Sequence, residues 1–200
     1  TNSFDRPNKE IDARAEHLMP QLAGGFYFEW SPTTNFYVDV TRDEMQYRSG
    51  ETFDGVNLDE ALDNRTYRYS GGLVTSVTPL TTISVSGNYE ETEFRYEPLR
   101  NTTSRGGQVG FTFGPEAVMR GSLTMGYRDF RPVDPTVEPY QGFIANGNIS
   151  IPVRDFGTLA LTVFRDTQYS FDEAEAYYVD TTGQLTYTQH PYLPWTMVVV

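Results

Sequence analysis

"SGGLVTSVTPLTTISVSGNY", residues 70–89, decides the fold. Leu73, Thr75 and Val77 lie on one side of the first run, and Ile83, Val85, Gly87 and Tyr89 on one side of the second. The other side carries Ser70, Gly72 and Ser76, then Ser84, Ser86 and Asn88. A period of two means strand, and the hinge at Thr78, Pro79 and Leu80 means hairpin. The stretch therefore poses one question: whether a second sheet or lipid covers the apolar side.

The same rhythm runs outward in both directions. Strand-like runs fall near 23–31, 34–48, 64–77, 81–94, 104–113, 118–131, 141–152, 157–171, 177–189 and 195–200. Short connections ("SPTT" at 31–34, "TPLT" at 78–81, "GPEAV" at 114–118, "PVRDFG" at 152–157, "HPYLP" at 190–194) alternate with longer, acidic ones. The longer ones are "SGETFDGVNLDEALDN" at 49–64, "EPLRNTT" at 97–103, "RPVDPTVEPY" at 131–140 and "FDEAEA" at 171–176. No helix is needed to connect these runs. Alternating short and long connections is the organisation of an up-and-down antiparallel transmembrane β-barrel. Strands of about ten residues fit the hydrocarbon thickness when tilted. The expected fold is thus all-β, a meander of about ten strands from a larger barrel. Residues 1–22 are expected to be a polar outer loop and residues 23–200 the barrel strands.

Composition supports lipid over a second sheet. The formal net charge is −12, so nucleic acid is excluded as a partner for want of a basic face. The chain has no cysteine, which rules out disulfides and thiolate metal sites. No apolar run approaches the roughly 18 residues of a membrane helix. Lys9 is the only lysine, and the polar sides of the strands are mostly Ser, Thr, Asn, Gln and Gly. Soluble β proteins dress their wet faces and edges with Lys and Glu instead.

Parity sorts the side chains into two sets. The apolar set includes Phe26, Phe28, Phe36, Val38, Leu73, Val85, Val109, Met125, Phe143, Leu161 and Leu185. The opposite set holds the lumen-facing candidates Glu29, Asp39, Arg68, Glu90, Arg120, Arg128 and Asp180. Such charges in a wet lumen bias which solutes pass. Arg165 is the one awkward charge of apolar parity; it sits high on its strand, where it either reaches lipopolysaccharide phosphates or has its parity reversed by a bulge. Aromatics gather near strand ends, as interfacial girdles do: Trp30, Tyr192 and Trp195 by the tight turns, Tyr89, Tyr127 and Tyr169 toward the long loops.

No catalytic constellation is legible. His17 and His190 belong at opposite ends of the barrel, and no Gly-x-Ser-x-Gly, phosphate loop or His-Glu-x-x-His occurs. Neither an enzyme, a cofactor nor a metal site is expected. The run at 23–31 would descend from outside, so at least one strand is expected before Thr1, because such barrels start and end in the periplasm.

The stretches "SVTPLTTISVSGNYEETEF", "GSLTMGYRDFRPVDP", "LALTVFRDTQYSF" and "AYYVDTTGQLTYTQH" resemble the family called putative β-barrel porin 2, over about Leu62 to His190. The resemblance implies an integral protein of the bacterial outer membrane with porin-like character. Its implied partners are outer-membrane lipid, lipopolysaccharide and polysaccharide export components, and its implied role is an exit pore for a secreted polysaccharide. The alternative is a non-conducting barrel whose acidic loops bind a partner or anchor a surface structure.

Overall fold

A computed structural model describes residues 2–5, 15–50, 52–153, 157–170, 176–189 and 197–199. Eight long strands form its body: β3 (Gln21–Ser31), β4 (Thr34–Tyr47), β7 (Asn64–Thr78), β8 (Thr81–Phe94), β9 (Thr102–Phe113), β10 (Arg120–Pro132), β11 (Tyr140–Val153) and β12 (Gly157–Tyr169). They continue into β13 (Tyr177–Gln189), and β14 (Met197–Val199) pairs with its last residues. Each strand is antiparallel to the one before it in the sheet. The result is the expected up-and-down meander, and the sheet is not closed.

Two short strands lie where the sequence reads as loop. β1 (Asn2–Asp5) pairs with β2 (Ala15–Leu18), and β2 pairs with the far end of β4 through His17–Tyr47 and Leu18–Gln46. β2 and β3 therefore run along one edge of β4, separated only by Met19 and Pro20. Proline has no N–H to give to a ladder. Its carbonyl oxygen still accepts the Glu44 N–H at 3.0 Å. The edge is interrupted there but not lost.

Register carries the two parities unbroken across the sheet. One row runs Phe28, Phe36, Leu73, Val85, Val109, Met125, Ala145, Arg165 and Thr181. A row of the other face runs Asp39, Ser70, Asn88, Gly106, Arg128 and Gly142. A one-residue slip in any strand would exchange these faces. Bulges interrupt the pairing only beside tight turns, between Glu29 and Ser31 and between Ser76 and Thr78.

The polar face is the concave one. At the long-loop end its residues meet across strands that are not neighbours: the Phe94 ring of β8 lies 5.0 Å from the Tyr169 ring of β12. The apolar face is convex and open, with Phe26 86% and Val85 52% exposed. Soluble sandwiches and ligand-binding barrels turn that face inward. Here the buried apolar side chains among the described residues are few, and they gather at the long-loop end: Tyr47, Leu58, Ala61, Leu62, Phe94, Phe130 and Ile144.

Three of these core residues belong to a small cap in the 48–63 connection and pack on a fourth, Tyr47, at the end of β4. β5 (Thr52–Phe53) and β6 (Val56–Asn57) form a hairpin through Asp54 and Gly55, both with positive φ. That is the backbone a two-residue primed turn requires, and Asp-Gly supplies it. α1 (Leu58–Leu62) follows at once and buries Leu58, Ala61 and Leu62 against Tyr47, with Met45, Phe53 and Val56 around them. The spacing i, i+3, i+4 places these three on one side of the helix. Connections 95–101, 133–139 and 170–176 join the other strands at this end. The opposite end has two-residue turns at 32–33 and 79–80, and six residues at 114–119. The contrast in loop length is therefore weaker at β9–β10 than the sequence suggests, because β10 starts at Arg120.

Candidate functional site: the polar concave wall

The concave face holds every charged residue that parity assigned to it: Glu29, Asp39, Arg68, Glu90, Arg120, Arg128 and Asp180. It also holds two carboxylates that the sequence reading missed, Asp43 and Asp166. The signal was available: Asp43 has the parity of Asp39, and Asp166 that of Thr162.

Pairing across strands organises the half of the wall nearer the long loops. Arg68 Nε donates to Glu90 Oε2 at 2.9 Å, and Arg68 Nη1 lies 3.6 Å from Asp43 Oδ2. One guanidinium on β7 thus ties β8 to β4. Arg128 Nη1 lies 3.3 Å from Asp166 Oδ1, bridging β10 and β12 across the intervening β11. Asp43, Arg68 and Glu90 border a concavity of about 500 Å³ that also touches Tyr47, Leu62, Gln168 and Tyr169.

The half nearer the tight turns is different. Asp39 Oδ2 accepts a hydrogen bond from Ser70 Oγ at 2.6 Å, and Glu29 is exposed. Among the described residues, neither has a guanidinium partner. Arg120 is exposed at the start of β10, five strands away from β3 along the sheet. Asp180 stands opposite Asp166, back in the half nearer the long loops, and its Oδ1 accepts from Thr182 Oγ1 at 3.3 Å. Asn148 Nδ2 donates to Thr162 Oγ1 at 2.9 Å, one of several amide and hydroxyl contacts that line the wall.

The aromatic candidates divide. Trp30 is exposed near the first tight turn, its ring edge-on to Phe28 at 6.4 Å and Phe36 at 6.0 Å. Tyr89 lies on the convex face with its ring 6.3 Å from Tyr69, and Tyr127 is exposed on the same face. Tyr169 is a correction. It keeps the convex parity through Tyr177, yet its half-buried ring packs against the concave residues Phe94 and Phe130, and its hydroxyl meets Thr102 Oγ1 at 2.6 Å. The reason is its place at the strand end: β12 bends over the cavity there, one residue before Ser170, whose carbonyl oxygen accepts Arg100 Nη2. Tyr192, Trp195 and His190 lie outside the described residues.

Arg165 does not reverse its parity through a bulge. It stays convex, and its guanidinium lies along the sheet, donating to the Phe143 carbonyl oxygen at 3.2 Å and to Thr181 Oγ1 at 2.6 Å. Beyond the apolar rows, nearer the long loops, the convex face turns polar. Asp129 there receives Arg105 Nε at 3.1 Å and Arg131 Nε at 2.9 Å.

Sequence reasoning also passed over Arg100. A 3₁₀ turn, Pro98–Arg100, buries this side chain. Its Nη1 donates to the Ala61 carbonyl oxygen at 2.8 Å, and its guanidinium stands 4.9 Å from the centre of the Phe94 ring.

The wall offers ordered polar groups to a solute. Among the described residues, no cluster of His, Cys, Asp and Glu could hold a metal ion. Among the described residues, no helix is long and apolar enough to cross a membrane. A polar concave wall and an exposed apolar convex surface fit a β-barrel membrane protein. No curated protein and no solved structure matches this chain. A family model does, over residues 27–187, from within β3 to within β13: the chain belongs to the putative β-barrel porin 2 family.

Proposed function

We propose that this chain forms part of the wall of a channel in the bacterial outer membrane, with its short turns toward the periplasm and its long loops outside. One observation carries the reading. The sheet curls with its hydroxyl, amide and charged side chains inward, while Phe26, Val38, Val85 and Leu185 remain exposed outward. In lipid, a closed sheet of this kind satisfies its backbone and leaves water only inside. Membrane lipid and lipopolysaccharide are then its surroundings, and the Arg105–Asp129–Arg131 cluster lies at headgroup height. The finer assignment is an exit path for a secreted polysaccharide. A wall rich in Ser84, Ser86, Asn88, Gln108 and Thr124 suits a hydroxylated polymer, because each group both positions and releases sugar hydroxyls. The test is single-channel recording of the full-length protein in planar bilayers. Unitary steps are expected, and soluble glycan added to one side should interrupt them. Folded protein that inserts without conducting would defeat the reading.

A second reading has a specific observation in its favour. The cap of α1, Arg100, Phe94 and Tyr169 covers the long-loop end of the concavity. A barrel sealed there does not conduct and serves as a surface anchor or docking platform through its acidic loops. The same recording separates the two.

A further inference from the structure

The concave wall is charged unevenly. Register places six carboxylates on it (Glu29, Asp39, Asp43, Glu90, Asp166 and Asp180) against three guanidiniums (Arg68, Arg120 and Arg128). The excess is three negative charges, and pairing decides where the uncompensated charge stands. Arg68 lies between Glu90 and Asp43, and Arg128 is held by Asp166. Those guanidiniums are spent within the wall. Among the described residues, Glu29 and Asp39, on the adjacent β3 and β4, have none.

A second observation points the same way. Tyr27 and Tyr37 stand directly opposite each other in the β3–β4 ladder, on the face of Glu29 and Asp39. The Tyr37 ring lies against Gly72: a Cβ added there would come within 2.9 Å of Tyr37 Cε1. The missing side chain lets the ring lie across β7. Aromatic π-faces attract cations and do nothing for anions. Carboxylates without counter-charges on the low-dielectric wall of a water-filled channel concentrate cations and repel anions.

We propose that this wall selects for cations, and that Glu29 and Asp39, flanked by the rings of Tyr27 and Tyr37, set the preference. The inference rests on the channel reading and narrows it. Small cations and amine-bearing solutes pass, neutral hydroxylated polymers are tolerated, and polyanionic polymers are excluded.

The experiment is the reversal potential of the full-length protein in planar bilayers under a KCl gradient. The potassium-to-chloride permeability ratio is expected above one. The double variant Glu29→Gln, Asp39→Asn should lower it by about twofold or more, since fixed charge near the path sets the local ion ratio. Both substitutions keep side-chain shape at positions that are not buried, so folding is retained. Glu91→Gln on the convex face serves as control and should leave the ratio unchanged. Unitary steps with a ratio at or below one, or a ratio that ignores the double variant, would overturn the cation assignment while leaving the channel standing. Absence of steps would remove the channel and this inference together.

Discussion

Arg100 Nη1 donates to the Ala61 carbonyl oxygen at 2.8 Å, joining two long connections across 39 residues of sequence. The same guanidinium reaches the Ser170 carbonyl oxygen at the end of β12. One side chain thus holds three connections over the mouth of the concavity, with the Phe94 ring against its cationic group.

Replacing Arg100 by Ala should release this cap. A hydrogen bond from a charged donor contributes about 1.5–3 kcal/mol, and the carbonyl oxygens left behind stay buried. Hydrogen exchange should quicken at 58–62 and near Ser170, while the paired middles of β8 and β9 stay protected. Arg100→Lys should not restore protection, because one ammonium cannot span two carbonyl groups as the planar fork does. Slow exchange at 58–62 in the Ala variant would show that apolar packing alone holds the cap.

The faces can be told apart by a single charge. Val85 lies between Leu73 and Val109 on the convex side, and Gln108 between Ser86 and Gly126 on the concave side. Arg on a lipid-facing surface near the bilayer middle costs about 2–4 kcal/mol, and lumen positions are spared that cost. Val85→Arg should therefore destabilise the protein in lipid vesicles by that amount, and Gln108→Arg by much less. Denaturant titration in vesicles measures both. Equal costs would mean that the convex side is not in hydrocarbon.

Asp63, in the cap, accepts the Tyr47 backbone N–H at 2.7 Å. Burial pushes its carboxyl above the usual carboxylate range, and Asp59 adds to the shift, although the Tyr47 amide and Arg95 oppose it. The folded cap then binds a proton more readily than the unfolded loop does. Its stability is fullest below the ordinary carboxylate pKa and declines as pH rises through the raised one. Asp63→Asn keeps an acceptor for Tyr47 and removes the charge. Protection of 58–63 should fall with rising pH in the parent chain and stay flat in the variant. Protection that grows with pH would contradict the burial argument.

Most of the strand pattern was legible because it is local. The runs at 81–94 and 177–189 match β8 and β13 at both ends. Alternation and turn residues are contained within a dozen positions, and each strand's parity follows from its own letters. What escaped was non-periodic or distant. β1 and β2 are too short to show alternation, and Pro20 hides the continuity of β2 with β3. The cap did leave a signal, Asp54-Gly55 followed by Leu58, Ala61 and Leu62, which the acidic composition of 49–64 obscured. Tyr169 was placed on its correct parity and the wrong side, because a strand end obeys the bend of the sheet more than the pleat.

The sequence by itself determined which side chains share a face, since a pleat alternates whatever surrounds it. It also determined that one face is apolar and the other wet. Only the tertiary structure decided which face is concave, that Arg128 meets Asp166 across β11, and that Arg100 closes the long-loop end. Those relations depend on inter-strand register and on curvature, which no single segment encodes: each is a sum over many strands of small twists and shared hydrogen bonds.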